Sequence, residues 1–173
     1  MRLSVRLALV FSLFGIGIAG GFQYRHVTVL RQESYARAEN MAQVTLSAVS
    51  VLVSAQAQGG RFKDLGRNLQ MMVRQSGIAG ILVLDAKGKI LLKRIDDLKF
   101  VGRKPHPGLR IGETTDGVYD VETEADLGPL GRGTVLVGFH TSALEERLRA
   151  IEARAVQSGV TAFLAITLAG WFI

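Results

Sequence analysis

Charge is absent near both ends of the chain and interleaved with apolar residues between them. Residues 7–24 and 155–173, 18 and 19 residues long, contain no Asp, Glu, Lys or Arg. At 1.5 Å per helical residue each is about as long as a hydrocarbon core of roughly 30 Å, and both are read as membrane-spanning helices. From Arg25 to about Gln58 there is neither Gly nor Pro, and small or apolar residues recur at Val27, Leu30, Ser34, Met41, Val44, Ala48, Val51 and Ala55. Steps of three or four, or seven where one is skipped, predict a long helix with one apolar stripe, ended by Gly59-Gly60. Phe62, Leu65, Leu69, Met72 and Val73 predict a second, shorter helix closed by Ser76-Gly77.

The period then shortens. "IAGILVLDAKGKILLKRI" (78–95) holds two β-rich runs about a turn at Ala86-Lys87-Gly88, a hairpin in which glycine supplies positive φ. A polar loop with Pro105 and Pro107 follows. "GVYDVETEAD" (117–126) and "GRGTVLVGFH" (131–140) read as a second hairpin joined through Gly128-Pro129-Leu130-Gly131. From Thr141 the helical period returns at Leu144, Leu148, Ile151 and Ala155 and runs into the second uncharged stretch without a breaker. The order is span, long helix, short helix, two strands, loop, two strands, helix, span. An α+β domain follows, a small antiparallel sheet with its helices on one side, between two membrane helices.

Composition adjusts this picture. Hydrophobic residues make up 48% of the 173 and mean hydropathy is +0.25, too apolar for disorder. Arg2 and Arg6 precede the first stretch with no acid before it, which keeps the N-terminus in the cytoplasm and puts residues 25–154 outside. A cleaved signal peptide with a small-x-small site at Gly17-Ile18-Ala19 is the competing reading of that stretch. No Lys or Arg follows Trp171, so the chain is expected to be cut before a cytoplasmic portion. Residues 25–154 carry 19 Lys and Arg against 15 Asp and Glu, a mixed surface that belongs in water. The net charge of +6 is spread out and only 7% of residues are aromatic, which argues against nucleic acid as a partner. With no cysteine, neither a disulfide framework nor a thiolate metal site arises.

The order of parts, with "GILVLDAKGKIL", "FVG" at 100–102 and "GTVLVGFHTSALEERL", resembles a single Cache domain, the PAS-like extracytoplasmic sensor of bacterial histidine kinases, chemoreceptors and diguanylate cyclases. The resemblance covers nearly the whole chain. It implies three parts: residues 1–24, a cytoplasmic N-terminus and first span; residues 25–154, a periplasmic sensor domain; and residues 155–173, a second span. It further implies the sensing and transmembrane signalling portion of an inner-membrane receptor, first of all a two-component sensor histidine kinase. Such a receptor works as a homodimer and takes a small ligand against its sheet. No catalytic signature occurs in the chain itself, so it is read as non-enzymatic and without a cofactor. The reading from another class is a membrane-anchored structural or interaction protein whose outer domain binds an envelope partner.

Candidate chemistry gathers in "GRKPHPGLRIG" (102–112). Arg103, Lys104, His106 and Arg110 put four donors in eight residues stiffened by two prolines, and such a cluster can hold a carboxylate or phosphate by charge-assisted bonds. The cluster is similar to the basic residues and His-Pro of carboxylate-sensing Cache domains. Arg94 and Tyr119 are expected as pocket walls. Asp85 is read as a turn carboxylate bonding local N–H groups, and Asp120, Glu122, Glu124 and Asp126 as a solvent-facing row on one strand. His26, His106 and His140 have no metal-ligand spacing.

"GIGIAGG" (15–21) contains G-x-G-x-x-G at Gly15, Gly17 and Gly20, with Glu39 placed 19 residues later. A dinucleotide fingerprint needs a strand before it and another ahead of the acid. Glu39 instead lies inside a helical pattern, so a nucleotide-dependent enzyme is set aside. Gly17 with Gly21, and Ala165 with Ala169, give small-x-x-x-small steps that would let membrane helices approach closely.

Overall fold

A computed structural model describes residues 3–75, 77–95 and 104–171. Helix α1 is Leu3–Gln58 and α2 is Phe62–Gln75; strands β1 (Ile78–Asp85) and β2 (Ile90–Ile95) follow, then β3 (Val118–Asp126), β4 (Arg132–His140) and helix α3 (Ser142–Trp171). The chain divides into two units. One, the helical unit, comprises Met1–Ser34 and Ala143–Ile173; the other, the sheet unit, is Tyr35–Ser142.

The sheet has the order β2-β1-β4-β3, antiparallel throughout. Both expected hairpins form, and β1 pairs with β4 to join them, with Ile81 opposite Val137 and Leu82 opposite Leu136. Local turn chemistry closes the first hairpin: Asp85 Oδ1 accepts the Lys87 and Lys89 N–H groups, each at 2.8 Å, and Gly88 takes φ of 76°. Asp85 is thus the turn carboxylate that its position suggested. Gly128 and Gly131, at φ 61° and 80°, close the second.

The core of the sheet unit is built from one face of the sheet and the two helices. Ile81, Val83, Val135 and Val137 are buried on that face, Leu65, Leu69 and Val73 on α2, and Ala42, Leu46, Val49, Val53 and Ala57 on α1. At about 1.5–3 kcal/mol for each fully buried Val, Leu or Ile, this layer supplies most of the unit's driving force. Ala79, Leu82, Val118 and Leu136 form a second, smaller cluster with Ile95.

The buried face of α1 is not the stripe expected from the sequence. Met41, Val44, Ala48, Val51 and Ala55 are all exposed, and the core takes the neighbouring row beginning at Ala42. A polar row on α1 meets β3: Ser50 Oγ donates to the Glu124 carbonyl at 3.2 Å, Ser54 Oγ accepts the Asp126 N–H at 3.1 Å, and Gln58 Nε2 donates to Asp126 Oδ2 at 3.0 Å.

The two expected membrane spans are not supported. Among the described residues, no helix is long and apolar enough to cross a membrane. In the helical unit α1 and α3 meet through polar groups. Gln23 lies 2.9 Å from Ser158 Oγ, Arg31 pairs with Glu152 at 3.1 Å, and a Cβ at Gly159 would sit 2.7 Å from Gln23 Oε1. The close approach belongs to Gly159, not to the expected glycines. A Cβ at Gly17 or Gly21 would meet nothing within 4 Å, and Ala165 is exposed. The side chain of Ala169 lies outside what is described.

Candidate functional site

The proline loop is fastened rather than free. Its described part begins at Lys104, and two carboxylates from distant elements hold it by its backbone. Asp120 Oδ2, on β3, accepts the His106 N–H at 2.8 Å, and Glu39 Oε1, on α1, accepts the Ile111 N–H at 3.0 Å. The Ile111 side chain is buried, the Arg110 N–H donates to Glu113 Oε2 at 3.2 Å, and Gly112 lies against the ring of Tyr35, where a Cβ would come to 3.0 Å. Both are part-buried, charge-assisted hydrogen bonds, so each carboxylate anchor constrains the loop.

A cavity of about 400 Å³ lies in the sheet unit beside β3. Its walls are Glu39 and Gln43 of α1, residues 107–110 of the loop, and residues 119–122 of β3. Such a volume suits a small molecule. Tyr119 is buried, and its phenol is held above the ordinary 10.0, first by burial and then by the negative charge of Glu39. The lining presents carboxylates at Glu39, Asp120 and Glu122 against one guanidinium, Arg110.

Of the residues expected to bind a ligand, Arg110 and Tyr119 line this cavity. His106 contributes through its backbone to Asp120. Lys104 is exposed and not part of the lining. Arg103 lies outside the described residues. Arg94 is engaged elsewhere, its Nε donating to the Gly66 carbonyl at 2.9 Å and its Nη1 to the Lys93 carbonyl at 2.8 Å. Gly66 admits it: a Cβ there would be 2.5 Å from Arg94 Nη2. Among the described residues, Arg110 is the cation on the cavity lining.

The acidic row on β3 also divides. Glu122 and Glu124 are exposed as expected, but Asp120 is only 2% exposed, because the loop covers it and uses it as an acceptor. Glu39 and Gln43 carry no local sequence signal for a site; they enter through the fold alone. Among the described residues, no group of three His, Cys, Asp or Glu side chains is gathered as a metal ion would need. Compared with known proteins, the chain matches no protein-family model and no curated protein.

Proposed function

We propose that the sheet unit is a ligand-sensing domain that takes a small polar molecule into the cavity beside β3. This is the sensor role that the Cache resemblance implies. The observation that carries it is the composition of the cavity wall: a helix, a strand and a loop pinned between them all contribute, so an occupant touches three elements at once. Ligand that binds one arrangement of α1 and the loop better than another shifts the balance between them, which is all a sensor requires.

Charge sets the ligand class. Among the described lining residues, Glu39, Asp120 and Glu122 outnumber Arg110, so the favoured molecule carries a protonated amine, with Arg110 available for a carboxylate on the same molecule. Amino acids and small amines come ahead of the dicarboxylates and phosphates that the loop sequence alone suggested. Thermal unfolding of the full chain with amino acids, amines, dicarboxylates and inorganic phosphate tests this. A ligand at a hundred times its dissociation constant adds about 2.7 kcal/mol of stability. The expected result is a shift with an ammonium-bearing compound that Glu39→Gln and Glu122→Gln reduce. Glu39→Gln keeps an acceptor for the Ile111 N–H, so the loop stays fastened. No shift with any compound, or a shift confined to the anions, overturns the reading.

A further inference from the structure

Strand β3 is an edge strand, and half of its backbone groups face away from the sheet. At one end of its pairing with β4 the Thr141 N–H donates to the Gly117 carbonyl at 3.0 Å, and at the other the Leu127 N–H donates to the Gly131 carbonyl at 2.7 Å. The register between them is unbroken. In an antiparallel pair, residues that exchange bonds alternate with residues that do not. The odd-numbered residues of β3 therefore bond β4, and Asp120, Glu122, Glu124 and Asp126 direct their N–H and C=O groups to the outer edge. Helix α1 covers part of that edge, through Ser50 at the Glu124 carbonyl and Ser54 at the Asp126 N–H. One turn earlier the cover stops. Ser47 Oγ donates instead to the Gln43 carbonyl of its own helix at 2.9 Å, and Leu46 is buried in the core. Among the described residues none caps the Glu122 backbone, and the cavity lies at that place, lined by Gln43 and by residues 119–122.

We infer that the occupant of this cavity is a short peptide with a free amino terminus, held beside Glu122 as an added strand. The inference rests on the sensor reading above and names its ligand. Exposed strand edges take extended peptides through main-chain bonds. Here the Glu122 N–H donates to a peptide carbonyl, and the Glu122 carbonyl accepts a peptide N–H. The lining runs over three steps of β3, about 10 Å, which is the reach of two or three extended residues. Ser50 ends the open edge on one side, and Asp120, which holds the loop, ends it on the other, so a longer chain finds no further edge to follow. Charge agrees with this occupant: an amino-terminal ammonium falls among Glu39, Asp120 and Glu122, and a terminal carboxylate has Arg110. A simple amine meets the carboxylates and leaves the Glu122 edge to water. A free amino acid has a single nitrogen for both tasks, whereas a peptide has one for each.

Isothermal titration of the full chain with trialanine, its ester analogue and alanine tests this. The ester analogue replaces both peptide N–H groups by oxygen and keeps the shape and both charged ends. Trialanine is expected to bind most tightly, with the ester and alanine each weaker by about fivefold or more, the share of one backbone hydrogen bond. On the protein side, Glu122→Gln removes only the charge, while Glu122→Pro also removes the edge donor, at a position where proline interrupts no bond to β4. Glu122→Pro is expected to weaken trialanine further than Glu122→Gln does, by about the same factor. The ester comparison uses the unmodified chain and decides even where the proline variant does not fold. Equal affinity for trialanine and its ester, or alanine binding as tightly as trialanine, overturns the inference and leaves the sensor reading standing. So does binding of simple amines without binding of trialanine. No binding by any ammonium-bearing compound overturns both.

Discussion

Tyr119 shows how setting changes a single residue. The side chain comes from a strand, where sequence marks it as an expected pocket wall; burial and Glu39 then hold its proton more tightly than water would. Because the folded value lies above 10.0, the native state retains a proton that the unfolded chain gives up first. The associated stability is complete below about pH 10 and is lost as the pH rises through the folded value. Chemical denaturation between pH 9 and 11 is expected to show a steeper loss for the unmodified chain than for Tyr119→Phe. Equal slopes would mean that the phenol is not confined. At this scale the sequence singled out Arg110 and Tyr119, which line the cavity, and passed over Glu39, which lines it too. The Glu39 partner in the loop lies 72 residues away, and nothing near Glu39 in the chain distinguishes it from any other helical acid.

At the scale of elements, what was readable depended on whether a segment has one apolar face or two. Both hairpins were legible because their strands are bounded by turn chemistry that acts locally, as Asp85 with Gly88 shows. Helix α1 was legible as a helix but not in orientation. Its rows starting at Met41 and at Ala42 are both apolar, so periodicity alone selects neither, and only the sheet, with its own buried valines, decides. Substitution separates the two rows. Leu46→Ala is expected to cost about 2–5 kcal/mol through the cavity it leaves. Val44→Ala, measured at concentrations where the chain is monomeric, is expected to change stability by no more than about 0.5 kcal/mol. Comparable losses from the two would place the core on the wrong side of α1.

For the whole molecule, the buried apolar side chains that are described gather in one of the two units. Among the described side chains, the buried apolar ones belong to the sheet unit except Leu148. Hydrogen exchange should follow that division, since segments with few buried contacts open locally while a core opens only with global unfolding. The slowest amides are expected in β1 and β4, the two central strands, and faster exchange in residues 13–34 of α1. Slower exchange in residues 13–34 than in β1 would contradict it. The end segments are also where sequence reading went astray. Counting charges suggested membrane crossing, whereas among the described residues no helix is long and apolar enough to cross a membrane.

The bonds that α1 makes at Glu39 and at Gln58 have a consequence for what kinds of change the gene can tolerate. Glu39 is tied to the loop at Ile111, and Gln58 to Asp126, while the Gly128 turn lies so close that a Cβ there would be 2.9 Å from the Gln58 Cα. The 19 residue steps between these fixtures amount to about 28 Å of helix. One residue added or deleted between them slides the helix about 1.5 Å and rotates it by about 100°, so one attachment must be given up to keep the other. This stretch therefore has a fixed length as well as a sequence: substitutions can accumulate along it, but insertions and deletions are confined to the turns.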